Sequence, residues 1–387
     1  MAIPLIPATE NVLTGVVLLA WALGWALLAV LSVRFSDQPQ RWAAAPAAFM
    51  ALVGLGVLGG SSAVHHVLSW VWPAALFVLV IWMFLRARRQ LRSRTARWLL
   101  YPVLVALAIA SLGRGYETVR ESLDAPAYRM PGQLVDVGGH RLHLHCTGSG
   151  SPTVVLEPGL GATSSDLGWI TPTVARDSRV CVYDRAGRGW SDPTDGRQDG
   201  AHIASDLHTL LDRAHVPGPY VLAGHSFGGL YVLSFAAQFP DQVAGMVLLD
   251  STAPNAGPAP PTNTQSYSFV RRVAAVLPAV AHLGAGRSLG SFIEEFLEGS
   301  ASVHQASSLT DLSGKPLIVL TADTGHDAKW QSAQDHLATL STNSVHRVAK
   351  ATTHQSLIDD EADSAAASAA IHDVVASVRT SQPIASR

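Results

Sequence analysis

The segment VLAGHSFGGL, from Val221 to Leu230, carries the most specific fold signal in this sequence. Three apolar residues typical of a buried strand precede Gly224-His225-Ser226-Phe227-Gly228-Gly229, and an amphipathic helical pattern begins at Leu230. A serine between glycines at a strand-to-helix turn is the G-x-S-x-G pattern, which exposes the serine hydroxyl on a sharp bend. The glycines are needed because bulky neighbours would clash in that bend. The motif alone is weak, but this context makes Ser226 the candidate nucleophile.

The sequence around this segment alternates between strand-like and helix-like patterns. Apolar runs predict strands at 133–137, 141–146, 153–157, 179–183, 219–223, 244–250, 316–321 and 344–349. Helical patterns lie at 201–214, 227–239, 329–341 and 361–379. Two early strands followed by this alternation predict an α/β fold over 131–380, with a mostly parallel sheet that helices cover on both faces.

The alternation stops between residues 251 and 312. This segment is rich in Pro and Gly at first and then shows amphipathic helical stretches near 266–282 and 288–298. We interpret it as a cap inserted over the end of the sheet. The remaining 381–387 is interpreted as a tail.

A serine nucleophile needs a base, and the order expected along such a chain is serine, acid, histidine. His354, in Ala351-Thr352-Thr353-His354-Gln355, follows the last predicted strand and precedes the final helix, so it is the candidate base. The sequence has sixteen histidines, and most should be structural. Those on or beside predicted strands are interpreted in that way: His140, His143, His145 and His346.

An oxyanion hole requires two backbone N–H groups close to the oxygen that becomes negative. One candidate is the N–H of Phe227, directly after the nucleophile. The other is the N–H of Leu160, in the loop Glu157-Pro158-Gly159-Leu160-Gly161 that follows the third predicted strand. The alternative interpretation of this loop is a plain turn.

The acid that orients the histidine has three candidates. Asp250 ends the strand 244–250, at the edge of the sheet where side chains enter the crevice. Asp323 and Asp327 follow the next strand. Asp250 is favoured, and the alternative for each aspartate is a loop or helix-capping role.

The first third of the chain predicts a membrane domain, residues 1–114, joined to the α/β domain by a linker at 115–130. Charged residues make up 14% of the chain, against about 25% in ordinary soluble domains. Apolar helices long enough to cross a bilayer are predicted at 11–33, 43–61, 67–85 and 98–113. The last is the shortest and contains Pro102, which a membrane helix tolerates.

The distribution of arginine predicts the orientation of these helices. Residues 86–97 (RARRQLRSRTAR) contain six arginines, and the loop after the first helix has Arg34 and Arg41. The positive-inside rule places both loops in the cytoplasm, so the α/β domain is expected outside the cytoplasm in a multi-pass protein of the cell membrane. If the fourth helix did not span the bilayer, the domain would lie in the cytoplasm.

Residues 130–380 resemble the α/β-hydrolase superfamily. The motifs that carry the resemblance are LEPGLG (156–161), YDRAGRGWSD (183–192), GHSFGG (224–229), VLLDS (247–251) and ATTHQSLIDDEAD (351–363). The resemblance implies an eight-stranded sheet, a cap between strands six and seven, and a triad of Ser226, Asp250 and His354. The superfamily usually carries its acid after strand seven. This sequence has Ala322-Asp323-Thr324-Gly325 there instead of Gly-x-x-Asp, which favours the acid after strand six.

The resemblance also bears on Cys146 and Cys181, the two cysteines of the chain. In the superfamily's strand order their strands are neighbours, so a disulfide is geometrically possible, and a domain outside the cytoplasm would permit it. We therefore expect Cys146 and Cys181 to be linked. The alternative is a pair of small buried thiols.

The leading functional hypothesis is hydrolysis of a carboxylic ester or related acyl bond in a small-molecule substrate, through an acyl-enzyme on Ser226. Aminopeptidase-like hydrolysis on the same fold and a catalytically inactive membrane sensor or scaffold are the alternatives. Epoxide and haloalkane hydrolysis are disfavoured because they use an aspartate nucleophile. A net charge of −2 gives no electrostatic case for nucleic-acid binding. The two cysteines lack the spacing of a zinc site. We expect no metal and no cofactor.

Overall fold

The computed structural model describes residues 10–35, 39–59, 62–90, 93–124, 129–194, 196–254 and 287–385. The chain divides into two compact units, and each is considered by itself.

The described residues of the N-terminal unit form four long helices. They are α1 (Glu10–Phe35), α2 (Ala44–Gly59), α3 (Ser62–Gln90) and α4 (Arg94–Asp124). Each contains a segment long and apolar enough to cross a membrane: Gly15–Phe35, Arg41–Gly59 (which begins in a short helical turn before α2), Trp70–Gln90 and Arg97–Arg120. At most 33% of any such segment is buried, so most of this apolar surface faces outward, as a lipid-facing surface would. The four predicted apolar helices are therefore confirmed.

Small residues let α1 and α2 approach closely. A Cβ added at Gly54 would lie 3.0 Å from the carbonyl oxygen of Gly15, the kind of contact that packs membrane helices. Before α2, Trp42 Nε1 donates to Gln40 Oε1 at 2.7 Å.

The fourth helix is longer than the apolar run that predicted it. It continues to Asp124, so the first part of the predicted linker 115–130 is helical. The charged residues after Gly113 end the hydrophobic signal, but Glu and Arg favour helix and do not stop it.

The C-terminal unit is built on one eight-stranded sheet. Its strands are β1 (Gln133–Asp136), β2 (Arg141–Thr147), β3 (Thr153–Glu157), β4 (Val180–Tyr183), β5 (Tyr220–His225), β6 (Val243–Leu249), β7 (Leu317–Thr324) and β8 (Ser344–Thr353). Their order in the sheet is β1-β2-β4-β3-β5-β6-β7-β8. The pairs β1–β2 and β2–β4 are antiparallel, and the pairs that join β4, β3, β5, β6, β7 and β8 are parallel. The predicted fold class is confirmed.

Helices cover both faces of this sheet. They are α5 (Ile170–Val174), α6 (Gly200–Arg213), α7 (Gly228–Gln238), α8 (Arg287–Leu297), α9 (Gly299–Ala306), α10 (Ala328–Ala338), α11 (Ser356–Asp359) and α12 (Ser364–Thr380). One buried apolar cluster unites α6, α7 and α10 with one face of the sheet, and a second unites α5 and α12 with the other. Burial on both faces explains why the central strands read as continuous apolar runs.

The cap is described in part. Helix α8 lies where the amphipathic stretch 288–298 predicts a helix, and α9 follows it. The predicted helix near 266–282 lies outside the described residues.

The two cysteines lie side by side on neighbouring strands of the sheet. Cys146 in β2 is in register with Cys181 in β4, and their sulfur atoms form a disulfide. The expected link is confirmed.

Candidate active site

Ser226 occupies a strained turn directly after β5. Its φ is 56°, in the left-handed region that disfavours L side chains. The turn is held from the next strand, since Ser226 N–H donates to the Leu249 carbonyl at 3.2 Å. A Cβ at Gly228 would lie 2.4 Å from the carbonyl oxygen of Glu157, so the motif's glycines are required by close approach. Such strain, imposed by its surroundings, is typical of a functional site.

Asp250 and His354 meet at the same edge of the sheet. Asp250 directly follows β6 and is fully buried, and His354 follows β8. His354 Nδ1 lies 2.6 Å from Asp250 Oδ2. Because an ionised carboxylate only accepts hydrogen bonds, Nδ1 is the donor, which leaves Nε2 available to take a proton.

The Asp250 carboxylate accepts from three further groups. His326 Nε2 lies 2.6 Å from Oδ2, while Trp330 Nε1 and the backbone N–H of Ala322 donate to Oδ1 at 3.0 and 3.2 Å. Burial opposes ionisation, but these hydrogen bonds, that from His354 first, outweigh it and hold the pKa of Asp250 below its usual value. Asp250 is therefore a carboxylate at neutral pH.

The other two candidate acids have structural roles. Asp327 caps α10, where its side chain accepts from Trp330 N–H at 2.9 Å. Exposed Asp323 accepts from the N–H groups of Ala351 and Thr352, at 2.9 and 3.2 Å. The hydrogen bond to His354 belongs to Asp250.

His225 supports the loop that carries His354. Its Nε2 lies 2.9 Å from the His354 carbonyl, and the two rings are 4.6 Å apart. Burial, together with the charge of His354, lowers the pKa of His225 to about 4. His225 is therefore neutral at physiological pH and donates Nε2–H to the carbonyl.

This low pKa predicts a loss of stability in acid that disappears in His225→Gln. In the unfolded chain the imidazole of residue 225 binds a proton below about pH 6.5. In the folded protein it binds that proton only below about pH 4, so acid favours the unfolded chain. Between pH 7.5 and 4.5 the wild type should lose roughly 2–3 kcal/mol more free energy of unfolding than the variant, whose amide keeps a donor. Urea unfolding of the purified protein at both pH values measures this. Exposed His336→Gln is the control, and identical pH dependence in wild type and His225→Gln would contradict the prediction.

The two candidate oxyanion donors are unused. In the described part of the chain, neither Leu160 N–H nor Phe227 N–H donates a hydrogen bond. Their segments are in contact, since a Cβ added at Gly159 would lie 3.0 Å from Ser226 Cβ. Both N–H groups are thus available close to the candidate nucleophile.

The hydroxyl of Ser226 makes no hydrogen bond to His354 among the described residues. The structure thus joins Asp250 to His354 and brings the Ser226 turn against the His354 loop through His225, without closing the last link. Hydrogen bonds of this kind often form only when substrate is bound.

Asp250, His326 and His354 also satisfy the spacing of a metal site, with ligand atoms within 4.8 Å of one another. His326 Nε2 and His354 Nδ1 each already lie 2.6 Å from Asp250 Oδ2, so hydrogen bonding accounts for the cluster.

Sequence reasoning missed His326, Trp330 and His225 as members of this site. His326 lies in the short loop after β7 and Trp330 in the first turn of α10, close in sequence to the candidate acids Asp323 and Asp327, and His225 lies inside the serine motif. The sequence signal for these residues was their closeness to the predicted site residues. No residue pattern distinguishes His326 from the other histidines.

Known proteins match this chain in its fold. A family model for the alpha/beta hydrolase fold matches residues 152–358. An uncharacterized protein of Schizosaccharomyces pombe is 30% identical over 296 residues, 61% of this chain and 54% of that protein. The 2-hydroxy-6-oxo-2,4-heptadienoate hydrolase of Pseudomonas putida is 34% identical over 126 residues, 30% of this chain and 44% of the enzyme. The chain thus spans about half the length of these relatives.

A solved structure shows the same fold. A thermophilic esterase from Thermogutta terrifontis superimposes with a TM-score of 0.51 at 21% identity, over 64% of this chain and 99% of the esterase.

Proposed function

The chain belongs to the α/β-hydrolase-fold family, and on that premise we propose that it is a membrane-anchored serine hydrolase that cleaves a carboxylic ester or related acyl bond. The observation that carries the proposal is that Ser226 on its strained turn lies at the same edge of the sheet as the hydrogen-bonded pair Asp250–His354, whose loop contacts the neighbouring residue His225.

The proposed reaction begins with His354 Nε2 taking the proton of the Ser226 hydroxyl as Oγ attacks the carbonyl carbon of a small-molecule acyl substrate. The carbonyl oxygen becomes negative and is received by Leu160 N–H and Phe227 N–H. Asp250 stabilises the imidazolium and holds its orientation. The imidazolium then protonates the leaving group, and an acyl-enzyme on Ser226 remains.

Water completes the cycle. His354 Nε2 takes a proton from a water molecule whose oxygen attacks the acyl carbon, and the same proton returns to Ser226 Oγ as the acid is released. The chemistry uses side chains and backbone groups of this chain.

The location proposed for the enzyme is the cell membrane, with the hydrolase domain outside the cytoplasm. The four apolar helices support anchoring by length and composition. The arginines at 86–97 favour a cytoplasmic position for that loop. The Cys146–Cys181 disulfide supports an oxidising compartment for the domain.

Labelling with a fluorophosphonate probe tests the proposal. The probe reacts with activated serines, so the purified full-length protein in detergent is expected to carry one adduct, on the tryptic peptide that contains Ser226. Mass spectrometry locates the adduct, and heat-denatured protein is the control, since activation requires the folded site. A native protein that remains unlabelled at Ser226 would rule out the proposed nucleophile.

A further inference from the structure

Arg185 holds the candidate oxyanion loop with three hydrogen bonds from its guanidinium group. Its Nη1 donates to Glu157 Oε1 at 2.7 Å and to the Pro158 carbonyl at 2.8 Å, and its Nη2 donates to the Gly159 carbonyl at 2.7 Å. Its two remaining hydrogen bonds go to Glu295, from Nε at 3.0 Å and from Nη2 at 3.1 Å. Five N–H groups are thus matched by five bonds.

Glu295 comes from the cap. It lies in α8, is fully buried, and its Oε2 also accepts from the N–H of Gly161 at 3.2 Å. Burial opposes its ionisation, but the charge of Arg185 and then of Arg188 outweighs burial, and the pKa of Glu295 lies below its usual value. Glu295 is therefore an anion that binds the residue next to Leu160.

The same helix contacts the site at two further positions. A Cβ added at Gly161 would lie 2.7 Å from the ring of Phe292, so that ring packs directly on the loop. Ser291 Oγ donates to the carbonyl of Ala186 at 2.9 Å. Residues Ser291, Phe292 and Glu295, spaced as one helix face, therefore rest on the two loops that follow β3 and β4.

We propose that Glu295 is a positioning residue for the oxyanion hole, which with Arg185 fixes the loop 157–161 so that Leu160 N–H faces the reacting carbonyl. The inference rests on the proposed function. The loop has little secondary structure of its own, and its carbonyls at Pro158 and Gly159 are turned towards Arg185. With those groups held on one side, Leu160 N–H is left without an acceptor among the described residues. The cap would thereby control the rate of reaction as well as access.

Glu295→Gln in the full-length protein tests this. The change removes the negative charge that holds Arg185 while it keeps the volume of the side chain. With p-nitrophenyl butyrate as probe, we expect kcat to fall about 10- to 100-fold with KM within threefold of wild type, since one oxyanion donor is worth on the order of 10²–10³ in kcat. The inhibition constant of phenylboronic acid, whose adduct places an oxygen in the hole, should rise by a similar factor.

Glu298→Gln is the matched control, because Glu298 makes an exposed ion pair with Arg197 at 2.6 Å away from the loop. It should leave both constants within twofold of wild type. If Glu295→Gln does not fold, Glu295→Asp is the second variant, because it keeps the charge but shortens the reach of the carboxylate to Gly161. Folded Glu295→Asp should likewise show a lower kcat and a higher inhibition constant for phenylboronic acid. Wild-type kcat and boronate affinity in either folded variant would overturn the role of Glu295. A wild type that neither hydrolyses the ester nor binds the boronate would instead contradict the proposed function.

Discussion

Replacing Ser226 with alanine is expected to lower kcat for p-nitrophenyl butyrate by a factor on the order of 10⁶, the scale seen when a triad nucleophile is lost. An alanine methyl group cannot form the acyl-enzyme, so hydrolysis can no longer proceed through separate acylation and deacylation steps. The turn itself should survive. Alanine at φ 56° is strained to a degree similar to serine, and the backbone bonds of residue 226 to Leu249 and Thr252 do not involve the hydroxyl.

The matched control is Ser234→Ala. Ser234 is also buried, but its hydroxyl only donates to the Leu230 carbonyl within α7, at 2.8 Å. This variant should keep kcat near that of wild type. Steady-state hydrolysis at equal concentrations of folded protein gives the ratio. Residual activity in Ser226→Ala above about one hundredth of wild type would show that another group is the nucleophile.

The strands that carry the site were predictable, because their burial on both faces forces continuous apolar runs. The end of such a run marks the carboxyl edge of the sheet, and this is how Asp250 and Ser226 were found. Strand β8 was predicted too short, at 344–349, since it pairs only with β7 and its last residues, Lys350 to Thr353, are polar or small. An edge strand lacks the burial that makes a pattern visible.

The choice among three aspartates could not be made from the residues alone. All three lie at or after the ends of two adjacent strands, β6 and β7, and their roles depend on side-chain direction rather than on sequence position. The same limit applies to Glu295 and His326. Glu295 binds a partner 110 residues away and His326 one 76 residues away, and no local pattern records such pairings.

Replacing Asp250 with asparagine is expected to reduce kcat by about 10³- to 10⁴-fold, with the larger figure typical of the same change in a serine triad. Four donors converge on this carboxylate, two on each oxygen. An asparagine amide has one oxygen, so its NH₂ must replace one of the carboxylate oxygens. If NH₂ faces His354, the imidazole must accept at Nδ1 and carry its proton on Nε2, where it cannot act as a base. If NH₂ faces Trp330, it meets two donors in a buried space, which costs free energy.

Asp327→Asn is the matched control for this change. Asn caps a helix as well as Asp does, so the α10 cap and kcat should both be preserved. The pH dependence of kcat adds a second readout, because the wrong tautomer in Asp250→Asn should not be corrected by raising the pH within the stable range. A fall in kcat in Asp327→Asn comparable to that in Asp250→Asn would move the acid to the loop after β7. A small fall in both variants would mean that His354 is oriented by its backbone contact with His225 rather than by a carboxylate.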